Sequence, residues 1–148
     1  MSSASSRGRP AGEIPVVVLD SYALVALLRA EPGAATVQEA LAVARREDSR
    51  AVLSLISLTE AAYIEERRYG IRHAQTLLSA VQDLPLEVAG IDLEAALAAA
   101  HVKAGHAISL ADAFVVALAM RVGGTILTGD PEFRSVEDMV TIEWLPAR

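Results

Sequence analysis

Ile14-Pro-Val-Val-Val-Leu-Asp20-Ser-Tyr-Ala-Leu-Val-Ala-Leu-Leu28 decides the class of the fold. Residues 14–19 form a short, continuous apolar run with a β-branched centre, the composition of a strand buried on both faces of a parallel sheet. From Ser21 the pattern is helical, ending near Glu31-Pro32-Gly33, and a second amphipathic helix runs from about Ala34 to Glu47. Asp20 stands at the junction, at a strand's carboxyl end.

The same alternation continues along the chain. Ala51 to Leu55 is a second strand candidate, followed by Ser57-Leu-Thr-Glu60 and a helix from Ala61 to Tyr69 that Gly70 closes. Ser57 and Glu60 have the spacing of a capping box, a purely local reason for an acid there. An amphipathic helix is expected from Ile71 to Leu84, a weak third strand from Leu86 to Ala89, and a helix from Leu93 to Ala104 with Asp92 as its N-cap and nothing more.

Ser109-Leu-Ala-Asp-Ala-Phe-Val-Val-Ala-Leu-Ala-Met120 is apolar nearly all round, so it reads as a buried helix carrying one carboxylate, Asp112. An ionised group in such a place is costly unless a cation or hydrogen bonds meet it. Ser109 as N-cap with Asp112 three residues on approximates a capping box, so a local and a functional reading of Asp112 both stand at this point. Gly123-Gly124 stops the helix. Thr125 to Thr128 is a fourth strand, Gly129-Asp130-Pro-Glu-Phe133 a turn, and Val140 to Leu145 a last strand with Trp144 as a packing anchor.

Strands alternating with helices predict a three-layer α/β/α domain with a mostly parallel sheet of about five short strands. Such sheets bind ligands beyond the strands' carboxyl ends, where the strand order reverses. Asp20 and Asp130 follow strands directly, and Glu60 lies a few residues after one. The Asp112 helix, running antiparallel to the strand it feeds, brings its first turn to the same edge. Four converging carboxylates repel one another, which raises their pKa values or demands a cation. Oxygen donors without cysteine suit Mg²⁺ or Mn²⁺, which can activate water and neutralise charge on a phosphodiester.

Composition narrows the classes. With 148 residues and 53% hydrophobic content the chain is one folded domain, residues 14–148, after a Ser/Gly/Arg/Pro-rich flexible leader, residues 1–13, that lacks the apolar core of a secretory signal. No apolar run reaches bilayer length. The absence of cysteine excludes a disulfide scaffold and thiolate chemistry and fits a reducing cytoplasm. A net charge of −6 argues against sequence-blind coating of nucleic acid, and an aromatic content of 4% against base-stacking platforms. Neither a phosphate-loop nor a nucleophile-elbow motif is present. His73, His101 and His106 lack the spacing of a helical zinc pair and are assigned structural or surface roles. Arg67, Arg68 and Arg134, near the expected site, are the candidates for holding an RNA backbone.

Val-Val-Leu-Asp20-Ser-Tyr-Ala-Leu, Ser57-Leu-Thr-Glu60, Ile108-Ser-Leu-Ala-Asp112-Ala-Phe-Val-Val-Ala-Leu-Ala and Thr128-Gly-Asp130-Pro-Glu-Phe133, in that order, resemble the PIN domain, and more narrowly the VapC-type toxins of toxin–antitoxin pairs. The resemblance implies a Mg²⁺- or Mn²⁺-dependent endoribonuclease with Asp20, Glu60, Asp112 and Asp130 as its acidic cluster. Asp20 and Asp112 would be the principal metal ligands, and Thr128 a supporting hydroxyl. It also implies a homodimer and a cognate antitoxin that occludes the acids, often with a basic side chain. Two other readings keep the fold: a non-catalytic regulatory binding module, and a Mg²⁺-dependent phosphatase on small substrates.

Overall fold

The computed structural model describes residues 14–147; the expected leader, residues 1–13, lies outside them. Among the described residues five strands form one sheet: β1 (Val16–Leu19), β2 (Arg50–Ser54), β3 (Glu87–Ala89), β4 (Thr125–Thr128) and β5 (Thr141–Trp144). Their order is β3-β2-β1-β4-β5, and every pairing is parallel. The helices are α1 (Ser21–Leu28), α2 (Ala34–Arg45), α3 (Leu55–Tyr69), α4 (Ile71–Gln82), α5 (Leu93–Gly105) and α6 (Leu110–Val122). The expected fold class and strand number are borne out.

β1 takes the centre because it is apolar on both faces, and the two-residue period of a strand divides it between two cores. Leu19, with Leu53 and Leu127 beside it, packs against Leu24 of α1, Val37 of α2, Ala61 of α3 and Leu77 of α4. Val18 and Ile126 point the other way, to Val102 of α5 and Val115 and Val116 of α6. α6 is thus the buried helix that its composition predicts. Among the described residues no single helix is long and apolar enough to cross a membrane, and the α5–α6 pair is bent by 116° at its junction.

The chain leaves β1 toward β2 and β3, then crosses back to β4 and β5, so its order reverses between β1 and β4. Leu19 pairs with Leu127, so the next step of the parallel register brings Asp20 level with Thr128. That edge is where the acids gather.

One local expectation is overturned. The second strand ends at Ser54, which caps α3 by accepting from the Ile56 N–H at 3.3 Å, so the helix starts at Leu55 and not after Ser57. Ser57 is buried inside the helix, and Glu60 sits in its second turn, too far along to form a capping box. The other boundaries move by one to three residues, the usual fraying of element ends. Trp144 is half-buried against the α5–α6 core and its indole N–H donates to Glu137 at 3.2 Å, as befits an anchor.

After β4 a short 3₁₀ turn, Pro131–Val136, is pinned to the α6 layer by Phe133, which is fully buried. Phe133→Ala should lower the unfolding free energy by roughly 3–5 kcal/mol in urea denaturation, and a loss under about 1 kcal/mol would mean that this turn is not anchored by the core.

Candidate active site

Asp20 ends β1 and caps α1: its Oδ1 accepts from the Ala23 N–H at 2.9 Å, and its Oδ2 accepts from the Thr128 hydroxyl. The Thr128 oxygen itself accepts from the Asp130 N–H at 3.0 Å, so its proton is directed at Asp20. Asp20 is only 1% exposed, and burial, partly offset by Thr128 and Ala23, raises its carboxyl to about 7 from the ordinary 3.8. The nearby Asp130 charge pushes in the same direction.

The structure removes the capping box from the local reading of Asp112. Ser109 does cap α6, its Oγ accepting from the Asp112 N–H at 3.2 Å. The reciprocal half of a capping box is supplied by a different acid: the Ser109 N–H donates to Glu132 Oε1 at 2.5 Å. The Asp112 carboxyl is therefore not spent on its own helix. It is buried, and its pKa is raised, first by burial, then by a hydrogen bond to Glu132 and by the charges of Asp20, Asp130 and Glu132. The same bond lowers Glu132, so the pair holds its proton on Asp112.

Glu60 accepts from the Ser21 hydroxyl at 2.5 Å, joining α3 to the residue that follows Asp20. Asp130, half-buried, caps the 3₁₀ turn through the Glu132 N–H at 2.9 Å. Glu60, Asp112, Asp130 and Glu132 line one cleft of about 340 Å³, with Ser21 and Arg29 on its wall. Asp20 lies buried behind it, close enough for its charge to act on Asp112. The structure thus brings together the four acids expected from the sequence.

Arg67, Arg68 and Arg134 do not line this cleft. Each lies over an aromatic ring on the surface, Tyr63 at 5.6 Å, Tyr69 at 5.6 Å and Trp144 at 5.0 Å respectively. His106 bonds the Val102 carbonyl at the end of α5 and His101 lies apart from the acids, consistent with the roles assigned to them. Asp92 caps α5 through the Ala95 N–H, as expected. Two cleft residues escape a reading of the sequence: Glu132, two positions after a quoted motif acid, and Arg29, which ends α1 like any solvated helix cation.

The donor set fits a hard divalent cation, since every candidate ligand is an oxygen and the cleft concentrates negative charge. Among the described residues no three acids or histidines stand together as a ready-made ligand set. The carboxyls are engaged elsewhere: Asp20 with Thr128 and Ala23, Asp112 with Glu132, and Glu60 with Ser21.

An all-parallel α/β domain with acids at its switch point defines the class, and the comparisons give the family. The family model of the PIN domain matches residues 17–139, and the chain belongs to the PIN domain family. Its fold is similar to VapBC2 from Rickettsia felis bound to a promoter DNA fragment, at 15% identity and a TM-score of 0.70 over 88% of this chain and 99% of that one. DNA-bound VapBC from Salmonella typhimurium gives 20% identity and 0.71 over 88% and 98%. VapC20 from Mycobacterium tuberculosis, a sarcin-ricin loop cleaving toxin, gives 17% and 0.65 over 81% and 94%. No curated protein matches the sequence.

The buried carboxyl makes stability fall with pH. A folded-state value near 7 against an ordinary 3.8 means that, between the two, the native state keeps a proton that the unfolded state has lost. Asp20 alone should remove roughly 4 kcal/mol of stability as pH rises across that window in metal-free protein. Asp20→Asn should flatten this part of the melting-temperature profile, and an unchanged slope would contradict the assignment.

Proposed function

We propose that this PIN domain is a Mg²⁺- or Mn²⁺-dependent endoribonuclease and the toxin of a toxin–antitoxin pair, acting in the cytoplasm. The observation that carries the reading is the pair of buried acids, Asp20 and Asp112, from distant parts of the chain: burial raises both carboxyls, the charge of Asp130 adds to both, and that of Asp20 adds to Asp112. Capping α1 explains one oxygen of Asp20, but no helix cap accounts for burying the Asp112 carboxyl beside it. The fold neighbours support the toxin assignment, because their names describe VapBC complexes and a sarcin-ricin loop cleaving VapC toxin.

Asp20 and Asp112 would be the principal metal ligands, with Glu60 and Asp130 completing the set. When bound, the metal supplies an activated water and neutralises charge on the scissile phosphodiester. The chain's own groups prepare the site. Thr128 fixes the orientation of Asp20, Ser21 that of Glu60, and Glu132 accepts the hydrogen bond of protonated Asp112, which gives up that proton on becoming an anion. The acid cleft suits a basic side chain of an antitoxin as an occluding plug. We assign residues 14–148 to the nuclease domain, a homodimer as its working form, and Arg67, Arg68 and Arg134 to outlying RNA backbone contacts.

Purified protein should cut RNA in Mg²⁺ or Mn²⁺ and stop with EDTA. Asp20→Asn or Asp112→Asn should slow cleavage by more than about a hundredfold, and Thr128→Val by about ten- to a hundredfold, the usual cost of losing a ligand's supporting partner. RNA left intact, or activity retained in both Asn variants, would overturn the assignment. Turnover of a small phosphomonoester with RNA untouched would make it a phosphatase.

A further inference from the structure

With a metal at the scissile phosphodiester, the neighbouring phosphates of an RNA strand still meet a cleft of carboxylates, where a positive side chain of the protein would favour them. Among the described residues lining the cleft, Arg29 is the one Lys or Arg. It also lines a second cavity of about 210 Å³, beside Glu65, Tyr69 and His73, so its side chain forms the wall between the two.

Glu65 holds it there. Glu65 lies on the buried face of α3 with Ser57 and Ala61, where an apolar residue would be the ordinary choice, and its side chain is 4% exposed. One carboxylate oxygen accepts from Arg29 Nη2, and the other meets His73 Nε2 at 3.0 Å. Tyr69 adds a ring face 5.9 Å from the guanidinium. The ion pair engages Nη2 and leaves the Arg29 side chain 23% exposed, while its Nε is buried without a hydrogen-bond partner. A buried ion pair is a poor device for stability, since apolar residues of similar volume serve as well or better. Its value lies in fixing a guanidinium, the group whose planar donor fork matches a phosphate.

We infer that Arg29 is a substrate-positioning residue that binds a backbone phosphate of RNA in the acid cleft, and that Glu65, completed by His73, orients it. This rests on the nuclease reading above.

The test uses the full chain and a fluorescein-labelled single-stranded RNA. Arg29→Met with Glu65→Leu replaces the pair by apolar residues and avoids stranding a buried charge. In the Asp20→Asn background, where cleavage is slowed so that binding can be read, this double change should reduce the slope of log affinity against log salt by about 0.7, the signature of one lost phosphate contact on a single strand. In otherwise wild-type protein it should raise KM about tenfold or more, with a smaller change in kcat. Arg29→Lys should keep the salt slope, since the charge remains, and still raise KM, since the fork is lost. A mere structural role would leave the salt slope untouched. Wild-type cleavage with slope and KM unchanged in the double variant overturns this inference alone; RNA left intact by the wild type overturns it together with the nuclease reading.

Discussion

Like charges at the carboxyl edge of a parallel sheet are the constraint on which the rest depends. Asp20 is fully buried after β1, Asp112 is buried in the first turn of α6, and Glu60, Asp130 and Glu132 share the cleft in front of them. Coulomb repulsion in so little water is strong, and the protein meets it in the absence of metal by protonation and by borrowed donors. Thr128, Ser21 and Ser109 each spend a hydrogen bond on one of these acids. The scaffold makes the cluster possible: two apolar cores, one on each sheet face, hold β1 and β4 in register and so fix where Asp20 and Thr128 meet.

Much of this was legible in the sequence because it follows from local patterns. The unbroken apolar run of residues 14–19 signals a central parallel strand, and a strand ending in Asp20 locates the acid at the ligand-binding edge without knowledge of any partner. The lone carboxylate in the Asp112 helix is visible in the same way. What stayed hidden depends on contacts between distant segments. Ser109 looks like one half of a capping box with Asp112, and only the approach of the 3₁₀ turn reveals that Glu132 fills the other half. Ser57 and Glu60 mimic a capping box by spacing, yet the strand yields to helix three residues earlier, at Ser54. Arg29 resembles a solvated helix-end cation until Glu65, on the core side of α3, is seen to hold it.

A division of labour follows. On the proposed reading the acids would supply the negative field that draws a divalent ion, and the guanidinium held by Glu65 would give a polyanion one foothold on the same wall. The net charge of −6 shows that this balance is local, since the chain as a whole repels nucleic acid. A nuclease with such a surface would recognise RNA through a few placed cations and a bound metal, not through bulk electrostatic attraction.

The most direct measurement is a pH titration of the side-chain carboxyl carbons of Asp20 and Asp112 by ¹³C NMR, without and with Mg²⁺. In metal-free protein both should titrate well above the ordinary carboxylate range, Asp20 near 7, and both should fall sharply when Mg²⁺ is added. If both titrate in the ordinary range and ignore the ion, the acids do not form one strained, cation-seeking cluster.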